Sequence, residues 1–226
     1  MPIDEIDWPA LALHGLRRDF GERAALDGVG FELSSGQSLL VLGPNGSGKT
    51  TLLRILATLL RPTAGEVAVL GARLPAEAWK VRGRIGFLGH EPLLYRDLSG
   101  REDLRFQARL HGIEGERAES RIDELLVAVG MERRADQRVA ELSAGMRQRL
   151  AIARCVLHEP ELLLLDEPDS NLDSEGRELA RELIGPREGR TRAIVTHDPE
   201  RYAGEADQEL RLSLDGSAVV EEATPR

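Results

Sequence analysis

The chain has 226 residues, 41% of them hydrophobic, and a formal net charge of −9 at pH 7. That suits one large domain or two small ones with a sizeable core, while the acidic balance speaks against nucleic-acid backbone binding and against a polybasic lock onto anionic lipid. A single cysteine, Cys155, rules out an internal disulfide and reads as a small buried hydrophobe in an apolar helical stretch.

In chain order, residues about 10–42 read as short strands broken by turns. Leu11–Leu16 and Val29–Leu33 are candidates, with Asp19-Phe20-Gly21-Glu22 a turn between them that carries an exposed-looking aromatic. Ser38–Leu42 reads as a buried strand and Thr51–Ala57 as a helix start. Arg61-Pro62-Thr63-Ala64-Gly65 has the breaker chemistry to close that helix. Strand texture follows at Glu66–Gly71 and Ile85–Leu88. From about 98 to 156 the texture is helical: Arg101–His111 carries Leu104, Ala108 and Leu110, and Arg117–Val129 carries Ile122, Leu125, Leu126 and Val129 on one face. Leu162–Leu165 is wholly apolar, as expected of a parallel strand covered on both faces. Ser174–Ile184 reads as a helix, Ala193–Val195 as a buried strand, and Leu210–Leu214 pairs with Ala218–Val220 across Asp215-Gly216. The helical block is therefore an insertion within an α/β core. No apolar run is long enough to span a bilayer, and Met1–Glu5 is acidic where a secretory signal is basic. The expectation is a cytoplasmic protein that reaches the inner face of the cell membrane only through a partner.

Three stretches carry chemistry. Gly43-Pro44-Asn45-Gly46-Ser47-Gly48-Lys49-Thr50 fits G-x-x-x-x-G-K-[ST] between a strand and a helix. Its glycines let successive N–H groups face one concavity, and the next helix turns its N-terminus to the same anion. Lys49 is positioned for the β/γ-phosphates and the Thr50 hydroxyl for Mg²⁺. Of 30 basic residues only Lys49 and Lys80 are lysines, so a slim point charge stands where arginine is otherwise the rule. The second stretch, Asp166-Glu167-Pro168, ends an apolar strand. Asp166 suits Mg²⁺ opposite Thr50, and Glu167 suits polarising an attacking water. The plainer reading is two acids opening a turn. The third, Leu142-Ser143-Ala144-Gly145-Met146, opens a helix with Ser143 as N-cap and makes a second anion site. On an inserted lobe it cannot serve the phosphate loop of its own chain, and a plain capped helix is the competing reading.

These stretches, followed by Ser170-Asn171-Leu172-Asp173 and Thr196-His197-Asp198, resemble the ATP-binding cassette ATPases across nearly the whole chain. The resemblance implies an α/β fold: a P-loop NTPase core with a parallel sheet, an antiparallel β subdomain and an inserted α-helical lobe. It implies one domain over 1–226, with the core lobe about 1–88 and 157–226 and the helical lobe about 89–156. It also implies ATP and Mg²⁺, and a head-to-tail dimer of this chain or of this chain with a related ATPase. Each ATP would lie between Gly43–Thr51 of one copy and Ser143 and Gly145 of the other. Phe20 matches the aromatic that stacks on adenine, against an ordinary core Phe. Asp173 matches the turn that crosses the dimer interface, and His197 the histidine that holds the γ-phosphate and attacking water. The family signature reads Leu-Ser-Gly-Gly-Gln, so Ala144 and Met146 depart from it. His90 stands where the family has Gln, and imidazole is a poor direct ligand for Mg²⁺. It would act through water or sense the partner. Gly89-His90-Glu91-Pro92 resembles the ATP-binding subunit of the cytochrome c biogenesis haem exporter. The expectation is thus an ATPase subunit on integral membrane permeases that powers haem export, without nucleic acid. The alternatives are an exporter of drugs, lipids or ions, a soluble cassette ATPase on nucleic acid or ribosomes, and one of iron–sulfur assembly.

Overall fold

The computed structural model describes residues 9–202 and 204–223; the acidic start Met1–Glu5 lies outside them. The elements run β1 (Leu11–Phe20), β2 (Arg23–Leu33), β3 (Ser38–Leu42), α1 (Lys49–Leu56), β4 (Ala64–Val69), β5 (Ala72–Leu74), β6 (Ile85–Leu88), α2 (Gly100–Leu110), α3 (Gly115–Ala128), α4 (Ala144–Val156), β7 (Leu162–Asp166), α5 (Ser174–Ile184), β8 (Thr191–Val195), β9 (Gln208–Leu212) and β10 (Ala218–Glu222).

One sheet has the order β10-β9-β3-β8-β7-β6, and the other β2-β1-β4-β5. In the first, β9, β3, β8, β7 and β6 are parallel and β10 turns back antiparallel on β9. The second is antiparallel throughout. Leu39–Leu42 of β3 and Leu162–Leu165 of β7 are apolar at every position because both faces of the sheet are covered there. On β3, Leu40 and Leu42 point into a core shared with α2, α3 and α4, whereas Leu39 and Val41 point into a core shared with α1, β1, β2 and β4. Strand β7 divides the same way, Leu163 and Leu165 to the first core and Leu162 and Leu164 to the second. Burying each such leucine contributes about 2 kcal/mol. The sheet is thus a wall between two cores, and its carboxyl-terminal edge carries the loops after β3, β7 and β8.

Local chemistry sets the helix starts. Ser99 and Glu102 form a reciprocal capping box at α2. Ser143 accepts the Met146 N–H at α4, and Asp173 accepts the Gly176 N–H at α5. Three readings need correction. Helix α1 ends at Leu56, with Thr58 left-handed (φ 62°), so Arg61–Gly65 does not close it; Ala64 and Gly65 already belong to β4. Asp19 and Phe20 extend β1, and the turn is only Gly21-Glu22. Leu110 is 65% exposed, because it falls off the stripe that buries Leu104 and Ala108. The sequence reading passed over strand β5, whose three residues are too few for any alternation to register.

Candidate active site

The loop between β3 and α1 is shaped by backbone that side chains cannot occupy. Gly48 has φ 97°, and a Cβ there would lie 2.4 Å from the Ala25 carbonyl oxygen. Unlike α2, α4 and α5, helix α1 begins with no side-chain cap, and its first turn holds no acidic residue. Its leading N–H groups are left for an external anion, and the helix dipole adds to them. Lys49, 8% exposed, donates from Nζ to the Gly43 oxygen at 2.7 Å and the Pro44 oxygen at 3.0 Å. It arches back over its own loop, the concavity where a polyphosphate fits.

The first residue pair the sequence joined across the chain meets here. Thr50 Oγ1 donates to Asp166 Oδ2 at 2.8 Å, and Asp166 is 2% exposed. Two adjacent ligands of an octahedral Mg²⁺ with bonds of about 2.1 Å stand about 3 Å apart. The two hard oxygens are therefore already at that spacing, and the pair fits Mg²⁺. When bound, the ion would neutralise charge on phosphate oxygens.

Glu167 follows with φ 54°, its N–H bonded to the Val195 oxygen at 2.9 Å. Its Oε2 accepts the His197 N–H at 3.3 Å, and its Oε1 lies 3.2 Å from His197 Nε2. That second contact is poorly aligned as a hydrogen bond, and Oε1 is buried without a well-directed donor among the described residues. Burial pushes the Glu167 carboxyl above the ordinary glutamate range, and Asp166 adds to this; His197 and Lys49 pull the other way. A desolvated carboxylate with a free oxygen, beside an imidazole and a cationic lysine, is equipped to accept a proton from a water.

These groups share one cleft of about 700 Å³, lined also by Phe20, Arg23, Ala25, Asn45, Gly46, Gly48, Thr51, His90, Ser170 and Val195. Phe20 is 51% exposed on the rim, so it is no core residue; Arg18 covers one ring face at 4.5 Å. Exposed His90 lines this cleft and also an adjoining groove of about 370 Å³ with Leu59, Phe87 and Leu93. Ser143, Gly145 and Asp173 do not line the cleft of their own chain. Ser143 and Asp173 cap helices, and Asp173 also accepts from Arg149 at 2.7 Å. Ser47 is buried at the base of the loop. Sequence reasoning passed over Arg23, which donates to the Gly46 oxygen at 3.2 Å; it sits on β2, in no motif.

A strand–loop–helix phosphate cradle at the edge of a parallel sheet defines a P-loop NTPase. Residues 26–170 match the ABC transporter family, and the chain belongs to that family as an ATPase. It is 41% identical over 221 residues to the daunorubicin resistance ATP-binding protein DrrA3 of Streptomyces coeruleorubidus, covering 95% of this chain and 68% of that one. It is 36% identical over 191 residues to the Nod factor export ATP-binding protein I of Ralstonia nicotianae, covering 84% of this chain and 60% of that one. The chain thus spans roughly two thirds of these relatives' length. Its fold matches the dimeric post-hydrolysis structure of the ATP-binding cassette MJ0796 bound to ADP and Pi, with TM-score 0.85, 29% identity, and 96% and 100% of the two chains covered. The relatives named here are drug-resistance and Nod factor export proteins, so they lend the haem-export reading no support.

Proposed function

We propose that this chain is the ATP-hydrolysing subunit of a membrane exporter for a drug-like or lipid-like organic compound. The observation that carries the ATPase chemistry is the single cleft in which the phosphate loop, Thr50–Asp166 and Glu167–His197 meet. In this reading Lys49 and the loop N–H groups hold the phosphates and Thr50 and Asp166 hold Mg²⁺. Glu167 takes the proton of the attacking water and His197 orients it, with Phe20 against the adenine. The chain works as one ATPase domain of two lobes, and two copies close head to tail. Ser143 and Gly145 then complete the site of the partner copy, and Asp173 lies beside it. The dimeric cassette of the same fold supports this. Among the described residues no helix is long and apolar enough to cross a membrane. The chain sits at the inner face of the membrane on integral permease subunits, with His90 between the nucleotide cleft and the groove that the permease occupies.

The export reading rests on the relatives' names, and haem export on the Gly89-His90 stretch alone. Two measurements test the proposal. Glu167→Gln should abolish steady-state ATP turnover while keeping ATP binding; intact turnover would mean the base is misassigned. Cells lacking this chain should retain daunorubicin and keep their c-type cytochromes. Loss of c-type cytochromes with unchanged daunorubicin would restore the haem reading.

A further inference from the structure

The loop that carries Glu167 makes two backbone hydrogen bonds of its own, Ser170 N–H to the Glu167 oxygen at 3.0 Å and Leu172 N–H to the Asp169 oxygen at 3.3 Å, and leans on its neighbours for the rest. Glu167 (φ 54°) and Asn171 (φ 61°) are both left-handed without being glycine, a strain that persists only where surroundings impose it. Two ties come from α4: buried Gln148 donates to the Pro168 oxygen at 3.1 Å, and Gly145 packs so closely on the Asn171 oxygen that a Cβ would stand 2.8 Å from it. Neither reaches His197. That residue starts a separate segment, which runs through a short 3-10 turn at Pro199–Arg201 to Tyr202.

A third tie joins the two segments. The Tyr202 hydroxyl donates to Asp169 Oδ2 at 2.7 Å, and Arg201 Nη1 lies 3.2 Å from the same oxygen. Asp169 is two residues beyond Glu167, and Tyr202 is five beyond His197. Tyr202 is 8% exposed and packs in the core shared with α4 and α5, so its ring is a fixed post. We propose that Tyr202, acting through Asp169, is a positioning residue that holds the Glu167 loop and the His197 segment at working distance. The inference rests on the catalytic roles given above to Glu167 and His197. If the ring only filled the core, phenylalanine would serve equally. The hydroxyl is what ties the loop, and its burial beside a carboxylate keeps it protonated and donating.

The test is Tyr202→Phe in the purified chain, with steady-state ATP turnover and Mg²⁺-free ATP affinity measured side by side. The phosphate loop does not touch the clamp, so ATP affinity should stay within about twofold while kcat falls at least about tenfold, the low end of the value of one hydrogen bond to a charged group. Asp169→Leu, which also releases Arg201, should cost at least as much, and the double variant no more than Asp169→Leu alone, because the Tyr202 bond is already gone there. Asp169→Asn keeps an acceptor and should recover much of kcat; it also reads the bond if Tyr202→Phe fails to fold. An unchanged kcat in Tyr202→Phe, an equal loss of ATP affinity, or additive losses would each overturn the clamp. Glu167→Gln run alongside separates the two ideas. Turnover surviving there removes the catalytic reading, whereas turnover lost there but intact in Tyr202→Phe removes only the clamp.

Discussion

Replacing Thr50 by valine removes one hydroxyl and leaves the volume almost unchanged. The donor lost is the one at 2.8 Å from Asp166 Oδ2, and that carboxylate is 2% exposed. A hydrogen bond to a charged group is worth about 1.5–3 kcal/mol, and a buried acceptor left bare loses most of it. For a domain of this size each kcal/mol moves Tm by about 2–4 °C, so Thr50→Val without nucleotide should melt roughly 4–8 °C below the parent. Thr50→Ser keeps the hydroxyl and should melt within about 2 °C of it. The same oxygen is a proposed Mg²⁺ ligand, so the Mg²⁺ concentration for half-maximal turnover should rise at least about tenfold in Thr50→Val. Differential scanning calorimetry and a Mg²⁺ titration of ATPase rate read the two arms separately. A Tm equal to the parent's would refute the buried hydrogen bond. A lowered Tm with unchanged Mg²⁺ dependence would refute the metal assignment and leave the hydrogen bond standing.

Arg192 is 1% exposed and donates to Ser38 Oγ, the Ile184 oxygen and both the carboxylate and the backbone oxygen of Glu205. Arg192→Ala should cost about 3 kcal/mol in urea unfolding, because it leaves the Ser38 and Ile184 oxygens without their donor and takes one of two cations from Glu205, Arg181 remaining on the other oxygen. His158 is pushed down to about 4, mainly by burial and next by stacked His111. A folded value below the unfolded one means that the unfolded chain binds the proton more readily. His158 therefore costs nothing above pH 6.5, and stability falls as pH drops from 6.5 towards 4, by up to about 3 kcal/mol. His158→Gln should flatten that limb of the unfolding curve, and an unchanged slope would contradict it. Burial raises the Cys155 thiol to about 12, so a thiol reagent at pH 8 should label it slowly in native protein and at once in urea. Rapid native labelling would show that the helix around it opens.

Much of the fold was open to a reader of the chain. Residues 162–165 are four leucines in a row, and only a strand covered on both faces accepts that composition so near a Pro and a carboxylate pair. The starts of α4 and α5 were legible because Ser143 and Asp173 satisfy orphan N–H groups within three residues of themselves. Such contacts are local and so are written locally. Where α1 stopped was not legible, because a threonine at φ 62° ends it with no glycine or proline to announce the turn.

The phosphate loop, the Thr50 and Asp166 pair and Glu167 were legible in the sequence alone, since each depends on residue type at fixed spacing beside a strand end, and His197 was reached through the family resemblance. Tertiary structure decided the rest. Asp169 and Tyr202 are 33 residues apart, and Arg23 opens β2 of one sheet whereas Gly46 lies in the loop after β3 of the other. No spacing rule joins such pairs; they meet only because β7, β8 and the strands around them end on one sheet edge. The free oxygen of Glu167 was decided there too, because burial belongs to the packed chain and to no residue by itself.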